Sequence, residues 1–177
     1  MIKYNPLVLL LLCTFSHSYA QDTWELKKSE DDIEVYTRRV NDSKVKEYKA
    51  VSTINTSMDY ILNELLTAPE YTDACEAGIS YYVKQLSDNQ HVFYVHQDLP
   101  WPVRDRDVVT LVTVNKLSDS KYKLTIEGLP EGVPEKKQML RIKELMGYWL
   151  LEEKEANQIM VTQQMFLNPE GSLPAFV

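Results

Sequence analysis

The sequence predicts an α+β domain: a strongly curved antiparallel β-sheet with one early helix pair. Three observations carry this. Apolar residues at helical spacing occur once, in residues 56–75, and nowhere later. From residue 79 onward the chain reads as short β-rich runs separated by polar breaks of hairpin length. The segments 33–39 and 46–54 form a further strand pair ahead of the helix. About nine strands with so little helix do not make a flat sandwich, so the sheet has to wrap around a helix, a cavity, or both.

The elements follow in order. Ile33–Arg39 is β-rich and partly alternating, Asn41-Asp42-Ser43 is a turn cluster, and Lys46–Ile54 places Tyr48, Ala50 and Ile54 on one face. Thr56 or Ser57 caps the helix, and Thr56 with Asp59 has capping-box spacing. Ile61, Leu62, Leu65 and Leu66 form its apolar stripe. Pro69 ends this helix or opens a shorter second one through Tyr71 and Cys75. Strands are then expected over 79–86, 91–98, 106–116, 121–127, 137–146, 147–154 and 158–167. Asp88-Asn89, Ser118-Asp119-Ser120 and Ala156-Asn157 supply the breaks. Along 121–127, Tyr122, Leu124 and Ile126 alternate with Lys121, Lys123, Thr125 and Glu127, giving one dry face and one wet face. Residues 127–136 carry two Gly and two Pro and read as a long loop.

Residues 1–20 are set apart from this domain. Lys3 is their only charge, Leu7–Cys13 is wholly apolar, and Ser18-Tyr19-Ala20 is a small-x-small exit. That is the pattern of a secretory signal peptide, and the apolar run falls far short of the ~20 residues that span a bilayer. A lipobox reading of Cys13 is disfavoured by Leu12, which stands where a small residue is needed. Export with cleavage after Ala20 leaves residues 21–177 as the domain, with Cys75 as their one cysteine and no internal disulfide. Cys75 is read as a small buried hydrophobe rather than a nucleophile. The net charge of −7 and pI of about 5.0 exclude a nucleic-acid binder, which needs clustered Lys and Arg. There is no Gly-x-Ser-x-Gly elbow, HExxH pair or Gly-rich phosphate loop.

Three long stretches resemble the START (StAR-related lipid-transfer) family, most closely its bacterial members. The first is Trp24–Val40 with Lys46-Glu47-Tyr48-Lys49. The second is Pro100-Trp101-Pro102-Val103-Arg104-Asp105-Arg106-Asp107. The third runs from Val133-Pro134-Glu135-Lys136-Lys137 through Gly147-Tyr148-Trp149 to Asn168–Phe176. Together they cover residues 24–177, in the family's order and spacing. The resemblance implies a helix-grip fold, in which a curved sheet is closed over an apolar tunnel by a long C-terminal helix. It implies binding of one lipid or other hydrophobic small molecule, with no cofactor, no metal and no catalysed reaction. That C-terminal helix needs on the order of 25 residues, and the Ser-x-Pro-Ala stretch that leads into it stands at the end of the chain. The expectation is therefore a domain without its lid helix, binding lipid weakly or forming a dimer through the open sheet face.

Six residues are candidates for ligand contact. Arg106 stands at the position of the family's cavity arginine. No acid in Gly78-Ile79-Ser80-Tyr81 matches as its partner, so it suits an anionic head-group or a carboxylate; a structural pair with Asp105 or Asp107 is the alternative. Trp101, held between two prolines, is a gate or membrane-touching residue at the tunnel mouth, or simple loop packing. Tyr94 and His96 share a strand face with Asp98 and read as polar wall positions; a metal or base role lacks a third ligand at a recognisable spacing. Trp149 and Met165 belong to a soft apolar set with Met139, Met146, Met160 and Phe166, and some of this set must line a tunnel. Two alternatives to lipid binding stay open: a helix-grip enzyme acting on an apolar substrate through His96, Asp98, Tyr94 or Arg106, and a partner-binding module with a filled tunnel.

Overall fold

The computed structural model describes residues 23–40, 43, 45–67 and 78–171. The expected signal peptide, the second helix with Cys75, and the Ser172–Val177 end lie outside the described residues. One ten-stranded curved sheet dominates, built from β1 (Glu25–Glu30), β2 (Ile33–Arg39), β3 (Lys46–Asn55), β4 (Ile79–Ser87), β5 (Gln90–Gln97), β6 (Arg106–Ser118), β7 (Lys121–Gly128), β8 (Leu140–Ile142), β9 (Leu145–Glu155) and β10 (Gln158–Leu167). Its order is β1-β2-β3-β10-β9-β7-β6-β5-β4, so the last strand closes onto the third. Every pairing is antiparallel except β8, which runs parallel to the start of β6.

β1 departs from the expected pattern. All six of its residues are exposed, so no burial alternation marks it in the sequence. A two-residue turn at Asp31-Asp32 folds it onto β2, with φ of 51° and 59°. Paired positive φ values match the right-handed twist of a hairpin, and Asp tolerates them better than most residues. The expected strands 137–146 and 147–154 are also redistributed. The polar pair Lys143-Glu144 separates a three-residue β8 from a continuous β9. Gly147 does not break β9: Met165 lies opposite it on β10, and a Cβ on Gly147 would stand 2.8 Å from the Met165 sulfur and 2.3 Å from the Gln164 carbonyl oxygen.

The single described α-helix, α1 (Met58–Leu66), starts at Ser57, whose Oγ accepts the Tyr60 N–H at 3.2 Å. Nine residues are too few for a stable isolated helix. Packing holds it: Met58 and Ile61, with Leu62, Leu65 and Leu66, meet Phe93, Val112, Leu124, Leu151, Ile159 and Val161 from five strands. Burying each such side chain contributes roughly 1.5–3 kcal/mol. These contacts define the inner face of the sheet. They lie toward the β6 C-terminus and the β10 N-terminus, so α1 covers one end of that face.

Candidate functional site

Strand alternation and register extend the inner face beyond α1. Val112 pairs with Ile126, Ile126 with Gly147, and Gly147 with Met165. Val114 pairs with Leu124 and Leu124 with Trp149; Met165 pairs in turn with Tyr48 on β3. Val114, Tyr122, Ile126 and Trp149 are only half-buried, although they pack against the α1 core. Met165, Tyr48 and Ala50 are half-buried as well. The result is an apolar trough that runs from α1 toward the opposite end of the sheet. Of the six candidate residues, Trp149 and Met165 fall on it directly.

Arg106 closes the far end. Alternation along β6 puts it on the same face as Thr110 and Val112, and it is 4% exposed. Its Nε and Nη2 donate to the carbonyls of Pro169 and Glu170, each at 3.3 Å, and Nη1 donates to the Arg104 carbonyl. Burial and the nearby Arg104 charge lower its pKa from the ordinary arginine value, with Asp105 opposing. The expected alternative, a pair with Asp105 or Asp107, is replaced by main-chain carbonyls. The side chain straps the segment after β10 to the start of β6. Trp101 stands at the same end, on the β5–β6 loop, and is 91% exposed.

Tyr94 and His96 fall on the other face. His96 faces Asp107 in the β5–β6 ladder, and Tyr94 joins Val92 and Val109 in a second core, under Leu129 and Val133 of the β7–β8 connection. Tyr94 and His96, expected on the polar wall of a tunnel, thus lie outside the trough, because strand alternation turns them away from the face that Phe93 shares with α1. On the outer face a buried network forms that the sequence did not disclose. Arg141 grips Asp107 with two parallel hydrogen bonds, Nε to Oδ1 and Nη2 to Oδ2, both 2.9 Å. Their side chains are 2% and 1% exposed. Tyr94 donates its hydroxyl to Asp107 Oδ2 at 3.1 Å, and the Lys136 ammonium stands 4.7 Å above the Tyr94 ring. Arg141 also donates to the carbonyls of Pro130, Val133 and Pro134, which fixes the connection that covers this core. Burial pushes the Asp107 carboxyl up, but the hydrogen bonds and charge of Arg141, with Tyr94 and Lys136, outweigh it and hold the pKa below the ordinary value. Arg141 is raised in return, chiefly by its hydrogen bonds to Asp107. Burial is the main cause that raises Tyr94.

A second outer-face network joins β2, β3, β9 and β10: Arg38 pairs with the buried Glu47 at 2.5 Å, Gln164 donates to Glu47 at 2.6 Å, and Tyr148 donates to Gln164 at 2.9 Å. Both networks lie on the outer face and leave the trough lined mainly by apolar residues, with Gln163 a polar position between Trp149 and Ala50. Two surface clefts lie away from the trough. One of about 340 Å³ is lined by Arg104, Lys136, Arg141 and their neighbours, and one of about 500 Å³ lies between β1, β2 and β3 with polar walls.

A curved sheet of this strand order, with an early helix on its apolar inner face, matches known proteins. The START domain profile matches residues 17–177. The chain belongs to the START domain family. It is 31% identical over 179 residues to an uncharacterized Pseudomonas aeruginosa protein, PA1579, covering 99% of this chain and 87% of that one. The crystal structure of a STAR-related lipid transfer protein fragment from Xanthomonas axonopodis superposes with a TM-score of 0.78 at 30% identity, covering 86% of each chain. Human STARD10 gives a TM-score of 0.68 at 21% identity over 85% of this chain and 63% of that one, a likeness of fold alone.

Proposed function

We propose that this START domain binds a lipid or other hydrophobic small molecule in the inner-face trough and carries it without catalysing a reaction. The observation that carries the reading is the trough itself: half-buried Val114, Tyr122, Ile126, Trp149 and Met165 form apolar surface between α1 and Arg106. Membership of a lipid-transfer family, and a Xanthomonas relative described as a STAR-related lipid transfer protein, support it. Arg106 is engaged by three carbonyls, so the ligand is selected by apolar shape more than by ion pairing. The non-catalytic reading is supported by the placement of Tyr94 and His96 on the outer face, away from the trough. Residues 1–20 support an exported, periplasmic or secreted protein, which N-terminal sequencing of the mature form tests: a chain beginning at Gln21 is expected, and one retaining Met1 contradicts export by cleavage. Trp101 supports transient contact with a membrane, since a ring 91% exposed on the β5–β6 loop is placed to enter a bilayer interface.

Titration with fluorescent fatty acids and a fluorescent sterol tests the binding. Saturable uptake of at least one class is expected, weakened by Trp149→Ala. Absence of uptake for both, in a folded protein, overturns the reading.

A further inference from the structure

One buried side chain is left without a role by the trough and by both outer-face networks. His96, next to last in β5, has its side chain 9% exposed, and neither ring nitrogen has a hydrogen-bond partner among the described residues. A buried polar group without a partner is costly, and its presence calls for an explanation. Two carboxylates stand beside it. Asp98 Oδ1 is 3.1 Å from Nε2, close but out of line for a hydrogen bond, and Asp105 Oδ2 is 3.8 Å away. All three donor atoms lie within 4.8 Å of one another.

We propose that His96, Asp98 and Asp105 form a binding site for a divalent transition-metal ion, with zinc as its natural class. Several features converge on this. One neutral imidazole and two carboxylates carry a charge of −2, which a dication neutralises. Zinc takes nitrogen and oxygen donors at about 2.0–2.2 Å, so tetrahedral donors stand about 3.3 Å apart. The separations of 3.1 and 3.8 Å from Nε2 bracket that value. Imidazole as a ligand favours zinc, nickel or copper over magnesium and calcium. Asp105 is already oriented: its Oδ1 accepts the Leu99 N–H at 3.0 Å, which leaves Oδ2 turned toward His96. Such outer support of a ligating carboxylate is usual in metal sites. Asp107, opposite His96 in the ladder, is not a ligand because Arg141 occupies both its oxygens. Gly78 provides the room. A Cβ there would stand 2.3 Å from Asp98 Oδ2, so only glycine lets the carboxylate lie where it does. Asp98 is 69% exposed, which leaves a fourth position open to water. An ion here joins the end of β5 to the approach to β6, and so ties together the two ends of the loop that displays Trp101. The site lies on the outer face, and its occupancy does not depend on the trough holding a ligand.

Cobalt(II) is the probe, added to protein dialysed against EDTA. A visible absorption band saturating at one equivalent per chain, and bleached by one equivalent of zinc, is expected. His96→Gln and the double change Asp98→Asn/Asp105→Asn should each weaken binding at least tenfold, with the circular dichroism of the folded protein retained. The double change alters the exposed Asp98 and the half-buried Asp105, whose Asn replacement can still accept the Leu99 N–H, so it decides the matter if the buried His96 variant does not fold. Gly78→Ala should also weaken binding by displacing Asp98. Absence of a saturable band in the parent protein, or one-equivalent binding that survives loss of both carboxylates, overturns the proposal.

Discussion

Replacing Arg141 by leucine removes the cation that is hydrogen-bonded to Asp107 in the interior. Asp107 is 1% exposed and would keep the Tyr94 hydroxyl and the more distant Lys136 charge. The substitution removes two charge-assisted hydrogen bonds to the carboxylate and leaves the carbonyls of Pro130, Val133 and Pro134 without their donor. Breaking one side of a buried ion pair costs about 3–5 kcal/mol, because the other charge stays buried. At about 2–4 °C per kcal/mol for a domain of this size, the melting temperature should fall by roughly 10 °C. Urea denaturation of four proteins, the parent, Arg141→Leu, Asp107→Leu and the double variant, measures the coupling directly. The double variant should be more stable than the Arg141→Leu single variant, since no lone charge is buried. A loss below about 1 kcal/mol in the single variant, or strict additivity in the double, would refute the argument that this pair fixes the β7–β8 connection.

Three further outcomes are expected. Because the folded pKa of Asp107 lies below the unfolded carboxylate value near 3.8, its contribution is fully present above that pH and disappears as pH falls through the folded value; acid melts should show a step missing from Asp107→Leu. Arg106→Met should cost about 1–3 kcal/mol, by orphaning the carbonyls of Arg104, Pro169 and Glu170, and should speed proteolysis after Leu167 while leaving fluorescent fatty-acid affinity within about twofold; a selective loss of affinity would instead make Arg106 a ligand contact. Trp101→Ala should weaken binding to anionic vesicles about tenfold, since inserting a third of a ring of roughly 200 Å² is worth over 1 kcal/mol; unchanged partition would restrict Trp101 to the loop.

How much of this was legible in the sequence depended on where each signal lay along the chain. The stripe at Ile61, Leu62, Leu65 and Leu66, and the alternation of Tyr122, Leu124 and Ile126, are local periodicities, and both appear as read. β1 had no periodicity to read, because its six exposed residues are held by backbone pairing and the Asp31-Asp32 turn. Arg141 was invisible as a functional group because its partner is 34 residues away and meets it only through the parallel β6–β8 pairing. The same reason hid Asp105 from His96. The i, i+2 relation of His96 to Asp98 is plain in the sequence, but the second carboxylate arrives only with the antiparallel β5–β6 register. Tyr94 was assigned to a tunnel wall because alternation states which residues share a face, not which face is inner. Phe93 against α1 settles that point.

The trough between α1 and Arg106 is proposed to hold an apolar molecule. Native mass spectrometry of gently purified protein, followed by solvent extraction, tests it most directly. A mass excess that leaves with the organic phase as one class of lipid or hydrophobic small molecule is expected. A bare polypeptide mass with an empty extract, in protein that also takes up neither fatty acid nor sterol, would contradict it.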